Sequence, residues 1–256
     1  MKNKNLKLKG FFVKKNFFTK SEILAFEKNL INFIHKVTIK SHKNISKKAK
    51  LILNFKDKIF QVKAIKLLEE IELQDKSLFY KISKCSSNII SIDKIDQNLK
   101  IEKILKNFFG VNFQTIQRRK PVMLFNKTNL DRLKYKWHQE SQFYPDHELG
   151  LHMWFPVFRS VKSKNDGGMV FALNGHKKKY VYSEVKQKNS WTQRIPRINV
   201  EKNFKLISPS VERGDVLFFI NQQLHKSDDQ HNVVPRVSFV IRYLSNKFDK
   251  NLDLLP

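Results

Sequence analysis

Apolar positions recur three and four apart in "FFTKSEILAFEKNLINFIHKV", where Ile23, Phe26, Leu30, Phe33, Ile34 and Val37 fall on one helical face. Thr19 with Glu22 three residues on supplies a capping box at the start of that helix. The same period predicts a second helix, "DKIFQVKAIKLLEEIEL", from Asp57. It predicts a third in "DQNLKIEKILKNFFG", opened by Asp96 and stopped by Gly110. Residues 38–56 read as a lysine-rich, solvated connector.

After Gly110 the period shortens. Residues 111–126, "VNFQTIQRRKPVMLFN", favour a strand with Pro121 near an edge or bend. "LGLHMWFPVF" (149–158) alternates, with Leu151, Met153 and Phe155 on one side and His152 and Trp154 on the other. "GGMVFAL" (167–173), "DVLFFI" (215–220) and "RVSFVIRYL" (236–244) are short apolar strands entered at Gly168, Asp215 and Pro235. Helices first and strands later predict an α+β chain with a mainly β core, a barrel or jelly roll. One domain spans 1–256, mostly helical up to residue 110 and a β core from 111. Residues 174–204 form a long insertion between two strands, the kind of segment that serves as lid, binding loop or disordered connection.

Composition narrows the class. A hydrophobic fraction of 41% with 22 Phe excludes a disordered chain. No run approaches the roughly 18 apolar residues of a membrane span. The basic N-terminus holds only Phe11-Phe12-Val13 as an apolar run, too short for a signal-peptide core. A single cysteine, Cys85, permits no intrachain disulfide and points to a reducing cytoplasm. The formal charge of +27 is compatible with nucleic acid, anionic lipid or an acidic substrate. The lysines are scattered rather than striped, which fits a codon bias towards Lys, Asn, Ile and Phe better than a built interface. The sequence leaves the oligomeric state open.

The candidate chemistry lies in "WHQESQFYP" (137–145). Two imidazoles and one carboxylate on one face of an octahedron hold Fe(II) and leave three adjacent positions free. His138 and Glu140 lie two apart, so at a strand end both side chains point the same way. His225, just beyond the strand 215–220, supplies the second imidazole. His-x-Glu alone is a common pair. Eleven residues after His225 comes Arg236, suited to bidentate binding of the far carboxylate of a dicarboxylic cosubstrate, with the Ser227 hydroxyl beside it.

With these motifs the chain resembles the phytanoyl-CoA hydroxylase-like Fe(II)/2-oxoglutarate dioxygenases. The matching stretches run in the family's order from "GFFVKKNFFTKSEIL" through "VMLFNK", "WHQESQFYP", "LHMWFPV", "GGMVFALNGHKKK" and "GDVLFFINQQLHKSDDQHN" to "PRVSFVIRY". The resemblance implies a double-stranded β-helix core, cupin-like, flanked by the N-terminal helices. It implies iron on His138, Glu140 and His225, and 2-oxoglutarate salt-bridged to Arg236 with Ser227 on the same carboxylate. Trp154 and Met123 would line the cosubstrate pocket, and 174–204 would cover a small-molecule substrate. Oxidative decarboxylation of 2-oxoglutarate with dioxygen would give succinate and carbon dioxide and hydroxylate a substrate C–H bond. Glu140 stands where the family has Asp, and a retained carboxylate argues against a halogenase. Asn174-Gly175-His176 replaces the family's Gly-Ser-His turn, which makes His176 a turn residue.

Other readings accompany these. Arg236 and Arg242 make the Arg-x5-Arg spacing of alkylated-nucleic-acid demethylases, and a non-catalytic β-helix binding protein is a third class. His35, His42, His147, His152 and His231 read as core or surface residues, and Trp154 and Met123 as core on residue grounds alone. Arg242 reads as a salt bridge or solvated strand end. Trp191, Arg194 and Arg197 are candidate substrate contacts on a loop that is otherwise solvated. The positive balance favours an anionic substrate.

Overall fold

The computed structural model describes residues 4–86, 89, 95, 98–110, 116–126, 135–147, 149–162, 166–185, 192–228 and 234–245. Its N-terminal part is helical: α1 Lys4–Lys9, α2 Lys20–Thr38, α3 Lys43–Ile52, α4 Asp57–Gln74, α5 Lys76–Ser86 and α6 Leu99–Phe109, with the short β1 Phe11–Lys14 between α1 and α2. The rest is mainly strand: β2 Ile116–Asn126, β3 Gly150–Val157, β4 Met169–Ala172, β5 Tyr182–Val185, β6 Gln193–Pro196, β7 Leu206–Ile207, β8 Val216–Ile220, β9 His225–Ser227 and β10 Arg236–Ser245, with α7 Val200–Asn203 after β6.

α2 starts where its capping box predicts. The Glu22 amide donates to Thr19 Oγ1 at 3.1 Å, and the Thr19 amide donates to Glu22 Oε2 at 2.7 Å. Its buried stripe is Ile23, Phe26, Leu30, Ile31 and Ile34, while Val37 lies on the solvent side. The buried Glu27 is matched by Arg213 Nε and Nη2, at 2.7 and 2.8 Å, and by the Phe158 amide. The expected connector 38–56 instead holds α3. Ile45, Ala49 and Ile52 recur four and three apart and are buried, so the lysines between them face solvent without preventing a helix. α5 has no counterpart in the sequence reading. The cap of α6 is Asn98, whose side chain accepts from the Lys100 amide; Asp96 lies outside the described residues. Gly110 ends α6 with φ +61°, a left-handed backbone that glycine adopts without a Cβ clash.

Five strands form an antiparallel sheet in the order β1-β8-β3-β10-β2, three form a second in the order β7-β4-β9, and β5 pairs with β6. β3 is buried on both faces but sorts its side chains by face, as the alternation predicts. Leu151, Met153, Phe155 and Val157 join Phe218, Phe239 and the helices in the larger core. Phe26 meets the Phe155 and Phe239 rings edge-on at 5.7 and 5.1 Å. On the other face Trp154, Leu217, Phe219 and Val240 pack against Phe171, Val161 and Val211 of the second layer. The helices therefore cover one face of the large sheet and leave the site to the other. Pro121 sits in the edge strand β2, where the pairing with β10 slips between Val240 and Arg242, so its missing N–H breaks no ladder bond. The segment 174–204 is not a bare loop: its described residues form the β5–β6 hairpin and α7.

Candidate metal centre

Residues 135–142 approach β9 as a single antiparallel bridge. The His138 amide donates to His225 O at 2.9 Å, and the His225 amide returns to His138 O at 3.0 Å. This bridge sets the two imidazoles side by side, ring centroids 4.2 Å apart. Each ring is oriented by a carbonyl of its own chain segment. His138 Nδ1 meets Lys136 O at 2.6 Å, and His225 Nδ1 meets Gln223 O at 2.8 Å. A carbonyl only accepts, so both protons sit on Nδ1 and both Nε2 lone pairs are free for a ligand. Burial and the neighbouring His138 hold His225 well below the usual histidine range, which keeps it neutral and able to ligate.

Glu140 is not on the strand. Gln139 is extended, and Glu140 opens the 3-10 turn Glu140–Gln142. The extended Gln139 still carries Glu140 to the same side as His138. Glu140 Oε1 lies 3.7 Å from His138 Nε2, and one ligand atom each from His138, Glu140 and His225 falls within 4.8 Å of the others, all three residues buried. Gln139 itself points the opposite way. Its Nε2 donates to Gly175 O, Lys178 O and Gln222 O, and its Oε1 accepts from Tyr182 Oη at 2.8 Å. The hairpin also takes hold on either side: Gln193 Oε1 accepts the Lys136 amide, and Arg194 Nη1 donates to Gln142 O.

Arg242, on β10, faces Glu140. Its Nε donates to Oε2 at 3.0 Å and its Nη2 to Oε1 at 3.2 Å. It is a buried salt bridge rather than a solvated strand end. Burial pushes the Glu140 carboxyl up, but the Arg242 charge and the His138 contact bring it well below the usual range, so Glu140 is ionised.

Arg236 is the second buried cation. Its Nη1 donates to Ser238 Oγ at 2.5 Å, and its guanidinium lies 5.5 Å from the Trp154 ring centroid. Its Nε and the Trp154 Nε1 have no hydrogen-bond partner among the described residues. Burial, with repulsion from Arg159 and partial relief from Asp228, brings Arg236 down to about 9. Trp154, Ser227 and Arg236 line one cavity with His138, Glu140 and His225, a narrow space of about 30 Å³. The unmet donors on one side of this cavity, Arg236 Nε and Trp154 Nε1, match the chemistry of a carboxylate. A divalent metal preferring nitrogen and oxygen ligands fits the two imidazoles and the carboxylate on the other.

Met123 does not line this cavity. It is buried in the helix-side core, on the strand that carries Phe125, which meets Phe79 at 5.0 Å. The next residue, Leu124, faces the cavity instead, a one-residue difference that switches the face of a strand. His176 lies in the turn 174–177, with the Lys177 amide donating to Asn174 O. Arg197 bonds Ser183 and Arg194 bonds Glu184, both within the hairpin; Trp191 and His231 lie outside the described residues. His35, His42 and His147 bond Ser46, Asp75 and Ser245 O respectively. His152 is buried with neither ring nitrogen partnered, stacked on Phe219 at 5.0 Å.

No protein-family model matches the chain, and no curated protein matches it. Solved structures share its fold. EctD from S. alaskensis with bound Fe superposes with a TM-score of 0.57 at 12% identity, over 96% of this chain and 77% of that one. The epimerase SnoN, in complex with Fe3+, alpha ketoglutarate and nogalamycin RO, gives 0.57 at 9% identity, over 94% and 81%. The non-heme monooxygenase ThoJ gives 0.58 at 13%, over 94% and 76%. The chain spans 65% of the length of EvdO2 from Micromonospora carbonacea var. aurantiaca, with a TM-score of 0.51 at 11% identity over 64% of this chain. Among the described residues no helix is long and apolar enough to cross a membrane.

Proposed function

We propose that this protein is an Fe(II)- and 2-oxoglutarate-dependent oxygenase with a double-stranded β-helix core, of the phytanoyl-CoA hydroxylase-like type, that hydroxylates a C–H bond of a small molecule. The observation that carries the reading is one cavity holding two kinds of unmet demand. Three ligand atoms converge with their lone pairs free, and a buried guanidinium opposite them has an Nε without a partner among the described residues. Iron, EctD with bound Fe and SnoN with alpha ketoglutarate on the same fold lend this reading support.

His138, Glu140 and His225 would hold the metal, and Arg236, with Ser227 and Trp154, would hold the cosubstrate. When bound, iron and 2-oxoglutarate supply the oxidising chemistry with dioxygen, giving succinate and carbon dioxide as co-products. The residues do the rest. His138 and His225 donate their Nδ1 protons to backbone carbonyls, which turns both Nε2 atoms towards the place a metal would take. Arg236 would neutralise one end of the dianion and fix its direction, and Trp154 would donate from Nε1 while its ring keeps water from the guanidinium.

Beyond Glu140 a second lobe of about 230 Å³ opens between Val122, Tyr135, Phe143 and Tyr144. The exposed Arg119 guanidinium lies 5.3 Å from the ring centroid of Tyr144, one of the residues that line this lobe. This lobe suits a substrate with an apolar body and an anionic group, in keeping with the charge of +27. Arg242, half of the spacing that points to alkylated nucleic acid, is taken up by Glu140 and offers no free cation to a phosphate backbone. The intact ligand set argues against a purely non-catalytic role, and the single cysteine fits the cytoplasm. The test is release of carbon dioxide from 1-labelled 2-oxoglutarate by the iron-loaded protein, with His225→Ala and Arg236→Ala beside it. Slow release by wild type that both variants abolish supports the reading; equal background from all three contradicts it.

A further inference from the structure

Glu140 occupies its position without the help a strand would give. It opens a 3-10 turn, and its side chain has one more rotatable bond than the aspartate of the resembling family. A free glutamate there could turn both oxygens on a metal, or swing into the lobe beside it. Arg242 grips it and opposes both movements. The arginine is rigidly mounted: β10 is paired on both sides, with Arg242 opposite His152 of β3 and Arg119 of β2. Its fork meets the carboxylate with two bonds, Nε to Oε2 at 3.0 Å and Nη2 to Oε1 at 3.2 Å, so the guanidinium plane sets the carboxylate plane.

The two oxygens are left unequal. Both accept from the arginine, Oε2 by the shorter bond, and Oε1 also faces the imidazoles, 3.7 Å from His138 Nε2. We propose that Arg242 is a positioning residue for the metal, holding Glu140 as a one-oxygen ligand so that the longer side chain serves where an aspartate would suffice. This rests on the metal reading of the site. The consequence is functional. Two imidazoles and one carboxylate oxygen leave three positions of an octahedron, the number that a chelating 2-oxoglutarate and dioxygen require together. A carboxylate bound through both oxygens would remove one of them. The arginine also draws charge out of the carboxylate, which would leave a bound metal poorer in electrons.

The test is anaerobic titration of Fe(II), and of Co(II) in parallel, into the metal-free full chain by calorimetry. The Fe(II)–2-oxoglutarate charge-transfer band is recorded afterwards. Arg242→Met is expected to bind both ions at least tenfold more weakly, the range in which loss of a residue behind a metal ligand falls. Its band is expected to move to lower energy, because Glu140 then donates more charge. Arg242→Lys keeps the charge and loses the fork: weakened binding with the band near its wild-type position is expected. Glu140→Asp, with Arg242 retained, is expected to bind tenfold more weakly, since the shorter carboxylate cannot span from arginine to metal. Should Arg242→Met fail to fold by circular dichroism, Arg242→Lys and Glu140→Asp decide the matter. Variants that bind within twofold of wild type, with the band unmoved, overturn the positioning role and leave the metal reading standing. Wild type that binds neither ion overturns both.

Discussion

Arg236 invites a substitution whose two effects have opposite signs. The guanidinium is buried, lies within reach of the repulsive Arg159, and is brought down to about 9. Folding therefore disfavours its charged form, and at any pH below about 9 the native protein bears a cost that the unfolded chain does not. A depression of more than three powers of ten, at about 1.4 kcal/mol each, bounds that cost near 4 to 5 kcal/mol. The Ser238 bond and the Trp154 ring are lost with the charge, so the net gain from Arg236→Met is smaller, about 1 to 3 kcal/mol. For a chain of this size that raises the melting temperature of the metal-free protein by roughly 2 to 10 °C. The same change should remove the response to 2-oxoglutarate. Metal-loaded wild type, with 2-oxoglutarate at a hundredfold excess over its dissociation constant, gains about 2.7 kcal/mol, and the variant at the same concentration should gain about 0.4 kcal/mol or less. Loss of a buried charge-paired partner corresponds to a dissociation constant raised by roughly a hundredfold or more. Paired thermal melts, with and without 2-oxoglutarate, read both signs at once. A variant that melts below wild type without ligand, or that keeps the ligand shift, refutes the view of Arg236 as a cation waiting for a carboxylate.

Other substitutions separate packing from chemistry. Met123→Ala should cost about 2 to 5 kcal/mol in urea unfolding and leave the 2-oxoglutarate affinity within about twofold, because Met123 faces the helices. Gln139→Ala strands Gly175 O, Lys178 O, Gln222 O and Tyr182 Oη together; a loss of about 2 to 4 kcal/mol in the same assay and a weakened metal titration are expected. His152, brought down to about 3 chiefly by burial, contributes stability that is complete above the ordinary histidine value and is lost as pH falls towards 3. His152→Leu should flatten that acid decline by about one proton, about 1.4 kcal/mol per pH unit, in denaturant midpoints taken from pH 7 to 4. Arg119→Ala should weaken binding of an anionic substrate more at low salt than at high salt, while leaving the metal titration unchanged.

What the sequence made legible follows from how local each signal is. α2 carries its stripe and its cap within one segment, and β3 carries its alternation within one strand, so both are readable from neighbours alone. α3 escaped because seven residues of "KNISKKAKLI" are polar or small, and only Ile45, Ala49 and Ile52 mark the buried face. Met123 lies in the core, as its residue type suggests, and its neighbour Leu124 faces the cavity; in a strand one position is the whole difference between the two. His138, Glu140, His225 and Arg236 could be proposed together from order and spacing. The Arg242–Glu140 pair could not, since it joins residues 102 apart whose meeting depends on the register of β10 against its neighbours. Gln139 left no signal, because three of its partners are backbone carbonyls that any sequence would supply and the fourth, Tyr182, is 43 residues away.

The most direct measurement is anaerobic titration of the wild-type protein with Fe(II) and 2-oxoglutarate, following the weak visible charge-transfer band of their chelate. The account predicts a band that His225→Ala abolishes and that needs far more 2-oxoglutarate to appear in Arg236→Ala. Folded wild-type protein that develops no band would contradict it, and would return His138, Glu140 and His225 to the scaffold.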